Sequence, residues 1–155
     1  MKPIVTLLIS LFFLPNFMIG QSFSKAEQKV IDAVESYWSD FACKDKNKWL
    51  DAFHDSYKGW DVGSEVINTK KDNVKWINYS WGKDAVLFWD ITPMGVVLHD
   101  NIAVVHYYYT TISKNKKNGK ETTEKGRWTD VIINDGSKWR LVADHGGKTE
   151  SKTEE

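Results

Sequence analysis

The stretch 122–134, TTEKGRWTDVIIN, runs into Asp135-Gly136 and returns through 139–144, WRLVAD. Both limbs carry β-branched and aromatic residues, and the Asp-Gly pair between them is a hairpin signal, so the segment predicts two antiparallel strands. Alternation along the first limb puts Trp128, Asp130 and Ile132 on one face and Arg127, Thr129 and Val131 on the other. An acid between two large apolar neighbours either faces a pocket or is paired. Pairing with Arg127 is disfavoured, because adjacent strand residues point to opposite faces. Working backward, Asn118-Gly119 joins this limb to 102–112, a run dense in Val and Tyr. Asp100-Asn101 turns that run back onto two apolar segments, 85–91 and 95–99, linked by Thr92-Pro93-Met94. A proline inside such a run predicts one long strand, bent or bulged at that point.

Upstream of residue 85 the period changes. Val30, Ile31, Val34, Tyr37, Trp38 and Phe41 fall on one stripe of a long helix, which Ser24 caps with Glu27 completing a capping box. A short second helix follows from about Asp45, with Trp49, Leu50 and Phe53 on one side. Residues 57–62 read as a short strand that Gly63 breaks. A third helix is expected over 72–81, where Val74, Ile77 and Trp81 share a face. Helices followed by four antiparallel strands make an α+β fold, with the helices laid on one face of a curled sheet. Trp38, Phe41, Trp49 and Trp139 are expected to be largely buried.

The chain has 155 residues, and its 21 basic and 21 acidic side chains balance. Such a balance excludes a polycationic nucleic-acid binder, so no nucleic-acid partner is expected, and the aromatic content excludes a disordered chain. Lys2 followed by the apolar run 4–14 and Pro15-Asn16 reads as a secretory signal peptide over residues 1–22, cleaved between Gly20 and Phe23. The run is too short to span a bilayer, so the mature protein is expected to be secreted or periplasmic with no membrane attachment. One domain over 23–147 and a disordered tail over 148–155, KTESKTEE, complete the expected organisation. Cys43 is the only cysteine, so no internal disulfide exists, and it reads as a small buried group near a helix end.

No glycine-rich phosphate loop occurs, and His54, His99, His106 and His145 lack metal-ligand spacing, so neither a metal nor a cofactor is expected. The lysine-rich stretch 113–120 has no interleaved aromatics and reads as a solvated loop tip.

The Tyr37-Trp38-Ser39-Asp40-Phe41 helix end, the Trp49/Leu50/Phe53 helix, and the hairpin from Gly126 to Val142 followed by His145 resemble the nuclear transport factor 2-like superfamily. That superfamily includes SnoaL-like polyketide cyclases and ketosteroid isomerases. The resemblance covers roughly residues 24–147, and it implies a cone-shaped barrel in which a strongly curved antiparallel sheet wraps around the long first helix. An apolar pocket would open at one end. The resemblance also implies roles: Asp61 as the base that removes a proton next to a carbonyl, with Tyr37 and a protonated Asp130 donating to the enolate oxygen.

On position alone, Tyr37 reads as a core tyrosine and Asp61 as a turn-stabilising carboxylate before Gly63. Trp128 shares the Asp130 face, and His106 and Tyr108 share a face of the preceding strand and are expected to line the same cavity. Asp144 is expected near the pocket mouth. Three functions fit: a pocket for a small apolar or amphipathic molecule, a cofactor-free acid/base isomerase, dehydratase or cyclase, and a homodimerising module whose outer sheet face presents Tyr107 and Tyr109.

Overall fold

The computed structural model describes residues 22–154; the expected signal peptide lies outside the described residues apart from Ser22. Helix α1, Lys25–Ala42, starts as the stripe requires, with the Ser24 side chain accepting from the Glu27 backbone and the Glu27 carboxylate closing the capping box. A cap of this kind is worth about 1 kcal/mol. Val30, Ile31 and Val34 are buried, and each contributes about 1.5–3 kcal/mol of apolar transfer. Helix α2, Lys46–Asp51, is capped by Asp45, and α3 is Lys70–Lys83, capped reciprocally by Thr69 and Asp72. Cys43, expected to be buried, is the exposed C-cap of α1. The chain leaves the helix there, so no neighbour covers the thiol.

Six strands form one sheet: β1 Phe53–Asp61, β2 Asn68–Thr69, β3 Asp84–His99, β4 Ile102–Asn115, β5 Glu121–Asn134 and β6 Trp139–Thr153, in the order β2-β1-β6-β5-β4-β3. The four strands from residue 84 onward are antiparallel neighbours, and the register slips between Pro93 and Gly95, so Met94 is the bulged residue. Two corrections concern the sheet. It is mixed, because β1 lies parallel to β6, with Gly59 opposite Asp144. It is curved but open, with β2 and β3 as its two edges, and is therefore not a closed barrel.

A third correction concerns the tail. Residues 148–153, expected to be disordered, continue β6, and Thr122 pairs with Thr153. An apolar-free strand is stable here because its backbone groups bond to β5 while its side chains stay in solvent. Helix α1 rests on the inner face against β3, β4 and β6. Of the four aromatics expected in the core, Trp49 is buried, while Trp38, Phe41 and Trp139 are half-buried against it. The reason is that Trp38 and Phe41 face open space between α1 and the sheet.

Candidate functional site

That open space is built by helix periodicity meeting strand alternation. The α1 stripe presents Tyr37 and Trp38 to the sheet, where β4 offers Ala103, Val105, Tyr107 and Tyr109, and β5 offers Trp128, Asp130 and Ile132. The Tyr37 hydroxyl donates to Asp130 Oδ2, and the Tyr107 hydroxyl does so at 3.0 Å. The two phenols lie 2.7 Å apart, and Trp38 Nε1 donates to the Tyr107 hydroxyl at 3.1 Å. Asp130 is 1% exposed. Burial pushes its carboxyl up to about 8, aided by the charge of Asp144 and opposed by the tyrosine hydrogen bonds. Burial also raises both phenols well above their usual range, so they remain donors at neutral pH.

Asp144 lies directly opposite Asp130 across the β5–β6 ladder. The Tyr57 hydroxyl donates to its two oxygens at 2.9 and 2.8 Å. Gly59 makes this bond possible, since a Cβ there would collide with both the Tyr57 hydroxyl and the Asp144 carboxylate. Burial raises Asp144 to about 6, with the Tyr57 hydrogen bond opposing and the charge of Asp61 adding. Asp61, at the end of β1, accepts from Asn68 Nδ2 at 3.2 Å, and burial raises its carboxyl too, against the Asn68 bond and the His145 ring.

Three adjoining spaces share Trp76 and Trp128 as walls. An inner chamber of about 130 Å³ is lined by Tyr37, Trp38, Phe41, Trp49, Phe53, Tyr107, Leu141 and Asp144 besides those two. A second chamber of about 270 Å³ holds Tyr57, Asp61, Asn68, Asn73 and again Phe53 and Asp144. The third, of about 380 Å³, opens toward Trp81, Tyr109, Glu124 and the β4–β5 turn. The Trp128 indole comes close to Gly146, opposite it, because that residue has no side chain; a Cβ would sit 2.8 Å from the ring.

The structure therefore brings together Tyr37, Asp130, Trp128 and Asp144, and sets Asp61 in the chamber next door, with Asp144 belonging to both. Asp130 itself lies behind the two phenols, which are the groups that reach the inner chamber. His106 and Tyr108 are corrections: neither lines the inner chambers, and both lie on the outer face beside a separate surface recess shared with Trp128 and His145, where His106 Nδ1 meets Thr129 Oγ1 at 2.9 Å and Tyr108 is 51% exposed. Tyr107 and Tyr109, expected outside, are 3% and 8% exposed and face inward. The signal for the correct face was present in β4, because Ala103 and Val105 continue the Tyr107 face while His106 and Thr110 mark the wet one. Tyr57, Trp76 and Phe53 also went unassigned. Among the described residues, no group of three or more His, Cys, Asp or Glu side chains is arranged to hold a metal ion.

This arrangement, with an open curved sheet around a long helix and an aromatic pocket between them, is the nuclear transport factor 2-like fold. A ketosteroid isomerase-like protein from Erwinia carotovora atroseptica superposes with a TM-score of 0.71 at 14% identity, over 83% of this chain and 99% of that one. A nuclear transport factor 2-like protein of unknown function in nutrient uptake from Rhodospirillum rubrum gives 0.65 at 19%, over 78% and 98%. A hexachlorocyclohexane dehydrochlorinase of type 2 gives 0.67 at 7%, over 84% and 89%. No protein-family model and no curated protein matches the sequence. At these identities the likeness is one of fold, and the chemistry must be argued from the pocket's own residues.

Proposed function

We propose that the protein is an exported binding domain that takes a small apolar or amphipathic molecule into the chamber between α1 and the sheet. The observation that carries this reading is the inner chamber, whose walls are aromatic rings and Leu141, with side-chain polar atoms limited to the Tyr37 and Tyr107 hydroxyls, the indole N–H groups and the Asp144 carboxylate. A ligand with an apolar ring and one polar atom satisfies both: the ring displaces water from the indoles, and the phenols orient the polar atom. Export rests on the Lys2-led apolar run, and among the described residues no helix is long and apolar enough to cross a membrane. Titration calorimetry with phenethyl alcohol tests the pocket. Binding that weakens strongly in Trp128→Ala supports it, and affinity unchanged by that substitution contradicts it. Recovery of a chain starting between Gln21 and Phe23 from outside the cytoplasm tests export.

A second reading, a cofactor-free isomerase, dehydratase or cyclase, is favoured by one observation: the phenol pair backed by Asp130, whose carboxyl titrates near 8 and so carries a proton at neutral pH. In that reading Tyr37 stabilises a developing oxyanion with Asp130 behind it, and Asp61 is the base, working from the adjoining chamber. Turnover of a cyclic enone that is abolished by Asp61→Asn would favour this reading over plain binding. For the dimer reading, the support is a set of exposed apolar side chains on the outer face, including Val97, Ile102 and Tyr108. Sedimentation of Tyr108→Glu against the unsubstituted chain tests it.

A further inference from the structure

The walls of the two inner chambers contain acids and no lysine, arginine or histidine. One of these acids is already compensated: Asp72 closes the α3 capping box and pairs with Lys75 at 3.7 Å. The hydrogen-bond partners of Asp61 and Asp144 are neutral: the Asn68 amide for the first, the Tyr57 hydroxyl and the Trp60 backbone for the second. Behind them Asp130 has only phenols. Asp130 carries a proton at neutral pH, and among the described residues neither Asp61 nor Asp144 lies within ion-pair distance of a cation. His145, next along β6 from Asp144, turns its Nδ1 to the Trp60 carbonyl at 2.8 Å; a charge on its ring would lower both Asp61 and Asp144, but it forms no ion pair with either and lines neither chamber. Removing a carboxylate from water without a counter-charge costs several kcal/mol, so a pocket built this way has an unmet demand for positive charge.

The remaining walls can satisfy the same demand. Trp76, Trp128 and Phe53 line both chambers, and Tyr57 closes the second, edge-on to Phe53 at 4.8 Å between ring centroids. Aromatic faces carry negative potential and attract ammonium groups, most strongly where water is excluded. Among the described residues no three acidic or other metal-ligating side chains converge on one point to hold a metal ion, whereas an organic ammonium needs only carboxylates for its N–H groups and rings for its carbon.

We propose that the ligand of this pocket is an organic amine bound as its ammonium, with the nitrogen held by Asp144 and Asp61 and its apolar body against Trp76 and Trp128. This rests on the pocket being a small-molecule site, and it adds the charge of the molecule. A neutral ligand leaves the two carboxylates unpaired, and an anionic one is repelled by them.

Three probes that share one phenyl ring and differ in charge separate the possibilities: phenethylamine, phenethyl alcohol and phenylacetate, titrated calorimetrically at neutral pH. The amine should bind about tenfold or more tighter than the alcohol, and phenylacetate should be weakest. In Asp61→Asn and Asp144→Asn the ratio of amine to alcohol affinity should fall toward one, whatever either substitution does to binding of the alcohol itself. Equal affinities for amine and alcohol overturn the inference and leave the pocket reading standing, as does an amine preference that survives both substitutions. Failure of all three probes to bind overturns the pocket reading and the inference with it. The comparison on the unsubstituted chain stands even where a variant does not fold.

Discussion

Asp130 and Asp144 sit opposite each other on neighbouring strands, project to the same face, and each is held by tyrosine hydroxyls. Their environments nonetheless separate them. Asp130 is 1% exposed and sealed behind Tyr37 and Tyr107, so desolvation dominates and its carboxyl rises to about 8. Asp144 opens onto two chambers and rises only to about 6. At neutral pH the first is mostly a neutral acid and the second mostly a carboxylate. Depth within the cone, over a single strand spacing, converts one residue type into a fixed hydrogen-bonding anchor and a ligand-facing charge.

The largest effect should come from deleting the anchor. Asp130→Ala removes the acceptor shared by the Tyr37 and Tyr107 hydroxyls and leaves a void, so equilibrium denaturation should show a loss of about 2–4 kcal/mol. Asp130→Asn, nearly isosteric with the neutral acid, should cost clearly less; an equal cost would mean that the charged form is the structural one. Next in size is the pH dependence. Between their ordinary value of 3.8 and their raised values, both acids bind more protons in the native state than in the unfolded one. Stability should therefore be greatest near pH 4 and fall as the pH climbs toward about 8. Asp144→Asn should make that decline shallower only below about pH 6, whereas Asp130→Asn should make it shallower there too and remove most of what remains between about 6 and 8. Thermal melts across this range check both halves.

Smaller again is Tyr57→Phe, which removes the hydroxyl from Asp144 at a cost of about 1 kcal/mol. It should also move the Asp144 titration further up, because that hydrogen bond now holds it down. The smallest effect is expected at His106→Ala. On the outer face its hydrogen bond is to Thr129, and its loss should change stability by less than about 0.5 kcal/mol with ligand affinity unaltered. A loss of binding there would mean that the convex face, not the cone interior, holds the site.

The path from sequence to this site was uneven for physical reasons. Local signals carried the elements: the Ser24/Glu27 box, the stripe from Val30 to Phe41, the bulge at Met94 and the Asp135-Gly136 hairpin all appear in place. Trp128 and Asp130 were placed on one face by alternation alone. Alternation has no sign, however: it separates His106 and Tyr108 from Tyr107 and Tyr109 without saying which pair faces the pocket. The parallel β1–β6 pairing joins residues as far apart as Gly59 and Asp144, beyond any local signal. The end of β6 is held by backbone hydrogen bonds, which its polar side chains do not advertise. The Tyr57–Asp144 contact depended on the absent side chain of Gly59, visible only once the strands are assembled.

The account turns most directly on the protonation of the facing pair, and site-resolved NMR titration of isotope-labelled aspartate reads it. The result expected is two separated carboxyl titrations, Asp144 near 6 and Asp130 near 8, each assigned by its loss in the corresponding Asn variant. Both carboxyls titrating close to 3.8, as free aspartates do, would contradict it and would remove the distinction between anchor and ligand-facing charge.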